Sequence, residues 1–172
     1  MKEEIRVVTL WQPWASLLAL GLKLNETRPN DTSFRGTYLI HAAQKWTKFQ
    51  KELCLKEPFF TELKNQRLVV DFINEDTKKV LWVPMLPLGS IIGKFEVDRC
   101  LKVQQDRGKY NHAVLSDGSI ITGNEFDFGD YSLGRSIWIG KNHRKLIRSL
   151  PYKNGQGYYQ RFRGNINDLK FV

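Results

Sequence analysis

Val7 to Leu22 is a run of sixteen residues without a charge, and it ends abruptly in Lys23, Glu26 and Arg28. A run of this kind is buried either in a membrane or in a protein core. It falls short of the ~20 apolar residues that a spanning helix needs, and Gln12-Pro13 interrupts it. It does not suit a signal peptide either, because Glu3 and Glu4 precede it and no small-x-small cleavage site follows. The run therefore predicts the core of a globular domain, with no membrane partner and a cytoplasmic location. Its first part, Ile5–Leu10, is short and β-branched and reads as a strand. Pro13 suits the first turn of a helix, where its missing N–H costs nothing. Trp14, Leu17, Leu18 and Gly21 then recur at helical spacing, while Ala15, Ala19 and Leu20 make the other faces apolar. The spacing predicts a helix buried on most sides and stopped by Gly21. Lys23 to Arg28 follows as an extended segment that Pro29 ends.

Further along, Arg35–Ala43 reads as a second strand with a buried end, and residues 46–66 as helix of mixed charge. Leu68–Ile73 is strand-like and leads to the Pro-rich turn Pro84–Pro87. Gly89–Val97 reads as a central strand, and Asp117-Gly118 between Val114-Leu115 and Ile120-Ile121 signals a hairpin. Ser136–Ile139 and Gly157–Gln160 complete the strand set. Several short strands with one buried early helix predict an α+β domain, a small β-barrel with helices packed on it.

The formal net charge is +9, from 27 Lys and Arg against 18 Asp and Glu. It is unevenly placed. Residues 135–172 hold nine Lys and Arg and one acid, Asp168, so they carry +8 and residues 1–134 only +1. Trp138, Tyr152, Tyr158, Tyr159 and Phe162 are interleaved with these charges. Cations that grip phosphates beside rings that stack on bases suit RNA or a single strand. A solvated basic face with core aromatics between the charges gives the same pattern. Cys54 and Cys100 are far apart, and His41, His112 and His143 are scattered, so no metal site and no disulfide framework is expected. No cofactor motif is present.

The most specific pattern is an ordered set: Gln12-Pro13-Trp14-Ala15, Gly21-x-Lys23, Glu26-x-Arg28, Arg35-Gly36, His41-Ala42-Ala43, Gly89-Ser90-Ile91-Ile92-Gly93, Gly129-Asp130-Tyr131-Ser132 with Gly134-Arg135, and Pro151-x-Lys153-x-x-Gln156-Gly157. This set resembles the ASCH domain family, over roughly residues 5–43, 88–101 and 127–161. The resemblance implies a PUA-like barrel, one domain over residues 1–172, with an insertion at about 44–87. It also implies links to RNA metabolism and transcriptional coactivation, and a cleft where the early helix meets the barrel. Some compact relatives look like hydrolases of acylated nucleosides that use a Lys, a Thr and a Glu. Here Glu26 stands where such enzymes carry their Thr, with Thr27 one position out, and no residue clearly matches their Glu.

Read by their chemistry, Glu26 and Arg28 share one face of a strand and are expected to pair. The pair either braces the helix exit or presents an oriented carboxylate to the N–H groups of a base edge. Lys23 suits phosphate binding or stabilisation of transition-state charge and makes a poor general base. Trp14 is either core or an aromatic wall. Tyr131, Ser132 and Arg135 lie in a polar turn that meets phosphate or sugar, or is only a turn. His41 reads as a core histidine, and Lys45, Lys48 and Lys51 as a solvated face or an extension of a phosphate track. The expected nucleic-acid-binding set is Gln12, Trp14, Lys23, Glu26, Arg28, Arg35, Tyr131, Ser132, Arg135 and Lys153. The competing expectation is a ribonuclease or nucleoside amidohydrolase acting through Lys23, with Glu26. A third is a protein partner docked on the 44–87 insertion, through Phe59-Phe60 and Trp82, although packing of the helix onto the barrel explains these residues equally well.

Overall fold

The computed structural model describes residues 5–153 and 159–172. One mixed sheet dominates. β1 (Arg6–Leu10) runs parallel to β3 (Gly36–Ala42) and antiparallel to β10 (Tyr159–Arg161). On its other side β3 pairs with β6 (Ser90–Arg107), which continues into a hairpin of β7 (His112–Leu115) and β8 (Ile120–Thr122). β9 (Ser136–Pro151) lies along β6, and its first residues also pair with β2 (Asn25–Arg28). Register shifts between Ile91 and Gly93, Lys94 and Glu96, and Val97 and Arg99 bend the β6–β9 ribbon. Among the described residues the strand pairings form no closed barrel: the observed fold is a sheet-dominated α+β arrangement with a few helices.

α1 (Trp14–Ala19) lies across β3, β6 and β9. Ala15 to Ala19 are all buried, as a helix apolar on every side requires. Its inner face joins Val8, Ile40, Phe95 and Trp138 in the main core. The helix can sit this close because position 93 has no side chain: a Cβ there would be 2.7 Å from Ala19 Cβ. Gly21 then takes a positive φ of 70° and turns the chain out of the helix toward β2.

Residues 44–87 do not form one long helix. The Glu57-Pro58 step, where proline disfavours helix in the residue before it, separates α2 (Lys48–Leu53) from α3 (Phe59–Asn65). A hairpin of β4 (Val69–Ile73) and β5 (Val80–Pro84) follows. Leu17 of α1 meets Cys54, Phe59, Leu63, Val69 and Phe128 in a second core, on which Phe60 and Trp82 also pack. Of the two readings open for Phe59, Phe60 and Trp82, docking or packing, the structure shows packing. The outward face of the hairpin, with Phe72 and Leu81 opposite one another, is exposed and apolar.

α4 (Gly123–Asp127) follows β8 and packs beside β7 and β8. Of the expected strand Gly157–Gln160, Gly157 and Tyr158 lie outside the described residues, as does Gln156. Among the described residues no helix is long and apolar enough to cross a membrane.

Candidate functional site

Gly21 leads the chain from the buried helix into β2, and the three charges after the uncharged run converge. Arg28 Nε lies 2.8 Å from Glu26 Oε1, the pairing expected of alternate residues on one strand face. Lys23 Nζ lies 3.7 Å from Glu26 Oε2 and donates to the carbonyl oxygen of Asn25. Arg28 Nη2 donates to Thr9 O at 3.0 Å, which ties β2 back to β1. Lys23 is only 1% exposed and Glu26 6%. Two cations around one carboxylate satisfy the rule that buried charge must be paired.

The bracing pair read from the sequence is therefore present. The heads are locked to one another, and they also form the floor of an open cleft of about 850 Å³, with Arg135 on its lining. That volume lies in the upper part of the range of small-molecule sites, about 300–1,000 Å³. The cleft is lined by three cations, Lys23, Arg28 and Arg135, and three carboxylates, Glu26, Asp127 and Asp130, so its formal charges cancel. Its apolar walls come from Leu10, Trp14, Phe49 and Phe59, with Trp11 at its mouth. Trp14 meets the Phe59 ring edge-on at 6.4 Å.

A second set of contacts holds β2 in place. Glu125 of α4 accepts from Leu24 N at 2.7 Å, Asn25 N at 3.0 Å and the Tyr131 hydroxyl at 2.7 Å. Asp130 N donates to Thr27 Oγ1 at 3.2 Å. Asp130 also accepts from Ser132 Oγ at 2.6 Å and pairs with Arg135 Nε at 3.2 Å. Burial opposes ionisation of Asp130, yet the Ser132 hydrogen bonds and the Arg135 charge outweigh it and hold this carboxyl below the usual range. Burial, then the neighbouring Glu125 charge, raises the Tyr131 hydroxyl far above the ordinary phenol.

The other expected site residues separate clearly. Gln12 is fully buried and structural: its Nε2 donates to Pro87 O at 2.8 Å and its Oε1 accepts from Ser16 N at 3.1 Å, so it lies behind the helix rather than in the cleft. Arg35 Nη1 donates to the carbonyls of Thr32 and Phe34, away from the cleft lining. Tyr131 is sealed beneath Glu125, so its hydroxyl faces protein rather than sugar or phosphate. Ser132 and Lys153 are exposed and do not line the cleft. His41 is a buried core residue bonded through Nδ1 to Thr9 Oγ1 at 3.1 Å, and burial lowers its pKa. Among the described residues no cluster of His, Cys, Asp and Glu has the arrangement to hold a metal ion.

Sequence reasoning missed Trp11, Thr27, Phe49, Asp127 and Asp130 on the cleft, and the clasp made by Glu125. Thr27, one position from Glu26 on β2, lines the cleft with it. Trp11 had a weak signal, a large aromatic beside Gln12-Pro13, whereas Glu125 had none because the β2 amides it holds are about a hundred residues away.

The ASCH domain model matches residues 8–149, which is most of the chain. The chain belongs to the ASCH domain family. This family is generally linked to RNA binding. A search of curated proteins finds no match. The matched span holds both sides of the cleft, from α1 and β2 to Arg135, and the trio at its floor.

Proposed function

We propose that this ASCH domain binds RNA or another single-stranded nucleic acid and reads one base in the cleft above Lys23, Glu26 and Arg28. The observation that carries this is the oriented Glu26 carboxylate on the floor of an open, partly aromatic cleft. A carboxylate with one cation at each oxygen still keeps lone pairs for N–H donors, the readout that acidic side chains give to exocyclic amines. The cancelled charge of the cleft fits a base better than a phosphate. Phosphates are left to Arg135 at the cleft and to the exposed cations of β9, with Lys153 after it.

On this reading the bent β6–β9 ribbon belongs to a PUA-like barrel, residues 1–172 act as one domain, and 44–87 is an insertion. Two free cysteines fit a reducing, cytoplasmic setting. Catalysis through Lys23, as a ribonuclease or amidohydrolase, has less support. Its ammonium is taken up by Asn25 O and Glu26, and the Thr27 hydroxyl is bonded to a backbone N–H rather than to a base.

The test is fluorescence anisotropy with labelled ten-nucleotide RNAs of each base at low salt. Wild-type protein is expected to bind with a base preference. Glu26→Gln should change that preference by about 5- to 100-fold, since one base-edge contact is worth roughly 1–3 kcal/mol. Failure of the wild-type protein to bind any of the oligonucleotides overturns the reading.

A further inference from the structure

Two large aromatic side chains at the cleft are left in water. Trp11 is 47% exposed and Phe49 63% exposed, and both line the same cavity as Glu26. They come from different parts of the chain, Trp11 from the end of β1 and Phe49 from α2. Phe49 is held in place by the start of α2. Thr47 caps that helix, with Gln50 N donating to its Oγ1, and the buried Gln50 side chain accepts from Thr47 N at 2.7 Å. Lys45 Nζ lies 5.2 Å from the Trp11 ring centroid, and Lys48, one residue from Phe49, is exposed. A cavity of about 850 Å³ has room beyond a single base at Glu26.

Resting on the proposed reading of the cleft, we infer that Trp11 and Phe49 form a second base subsite, with Lys45 beside it for the phosphate that joins the two nucleotides. The ligand is thereby a short single strand rather than a free nucleotide. Stacking needs only a π-face, so this subsite accepts any base, while Glu26 selects. The exposed aromatics account for the occupant by chemistry: a base covers apolar ring surface, and its phosphate meets a cation that already lies over one of the rings. Segment 44–87 then contributes Phe49 and Lys45 to the nucleic-acid site itself.

The experiment compares a trinucleotide with the matching mononucleoside monophosphate, using the full chain and isothermal titration calorimetry. Trp11→Ala and Phe49→Ala are each expected to weaken trinucleotide binding by about 5- to 100-fold. The ratio of trinucleotide to mononucleotide affinity should fall in both variants. Trp11→Phe and Phe49→Tyr should restore most of the loss, which separates lost stacking from a disturbed fold. If both alanine variants bind the trinucleotide as wild type does while Glu26→Gln still alters base preference, the second subsite is wrong and the first reading stands. If the wild-type protein binds neither ligand, both fall together.

Discussion

Glu26 pairs with two cations at once, which makes the trio asymmetric. Removing Glu26 leaves Lys23, almost fully buried, with only a backbone carbonyl for company. Removing Lys23 leaves Glu26 still paired with Arg28. An uncompensated buried charge costs more than a lost partner of a charge that keeps another. Glu26→Ala is therefore expected to destabilise the fold by about 3–5 kcal/mol, and Lys23→Met by clearly less, in urea unfolding followed by tryptophan fluorescence. Equal losses would mean that Lys23 relaxes into solvent when its partner goes. The pairing of Glu26 with Arg28 was legible from their alternate positions in an extended segment. The burial of Lys23 was less so, because a lysine after a helix normally trails into water. What seals it is the Glu125 clasp on the Leu24 and Asn25 amides, a contact made by a residue far away in sequence.

At the scale of elements, local signals decided what could be read. The helix after Pro13, its stop at Gly21 and the turn at Asp117-Gly118 rest on one or two residues each, and all three are present as expected. β6 and β9 run well past the apolar cores by which they were recognised, to Arg107 and Pro151. Apart from Val103 and Leu146 their far ends are mostly exposed, and pairing rather than patterning holds them extended. The close seating of α1 on the sheet left one trace in the sequence, the glycine at 93. A methyl group there would stand 2.7 Å from both Ala19 Cβ and Arg144 O, a contact that forces the helix outward. Gly93→Ala is expected to cost about 1–3 kcal/mol, the usual range for overpacking. Because α1 leads directly into Lys23 and Glu26, it should also weaken RNA binding. Thermal unfolding and anisotropy on the same samples would show whether the two effects travel together. Unchanged affinity with lowered stability would uncouple the helix from the site.

At the scale of the whole molecule, the proposed function divides charge between two places with different tasks. The cleft lining is neutral in formal charge, whereas residues 136–172, which leave out the cleft's Arg135, carry +7 of the net +9. Base selection and overall attraction are thereby separable. On β9, Arg144 and Arg148 are exposed and lie beyond the residues that pair with β2, so they add field without touching the cleft floor. For a single strand, each phosphate neutralised lowers the slope of log affinity against log salt by about 0.7. The double variant Arg144→Ala/Arg148→Ala is expected to flatten that slope by up to about 1.4 while the order of preferred bases stays as in wild type. Glu26→Gln should do the reverse, changing the order and leaving the slope alone. Anisotropy titrations at several salt concentrations measure both quantities on each protein. A slope that the arginine pair does not move would place the strand's phosphates away from this part of β9.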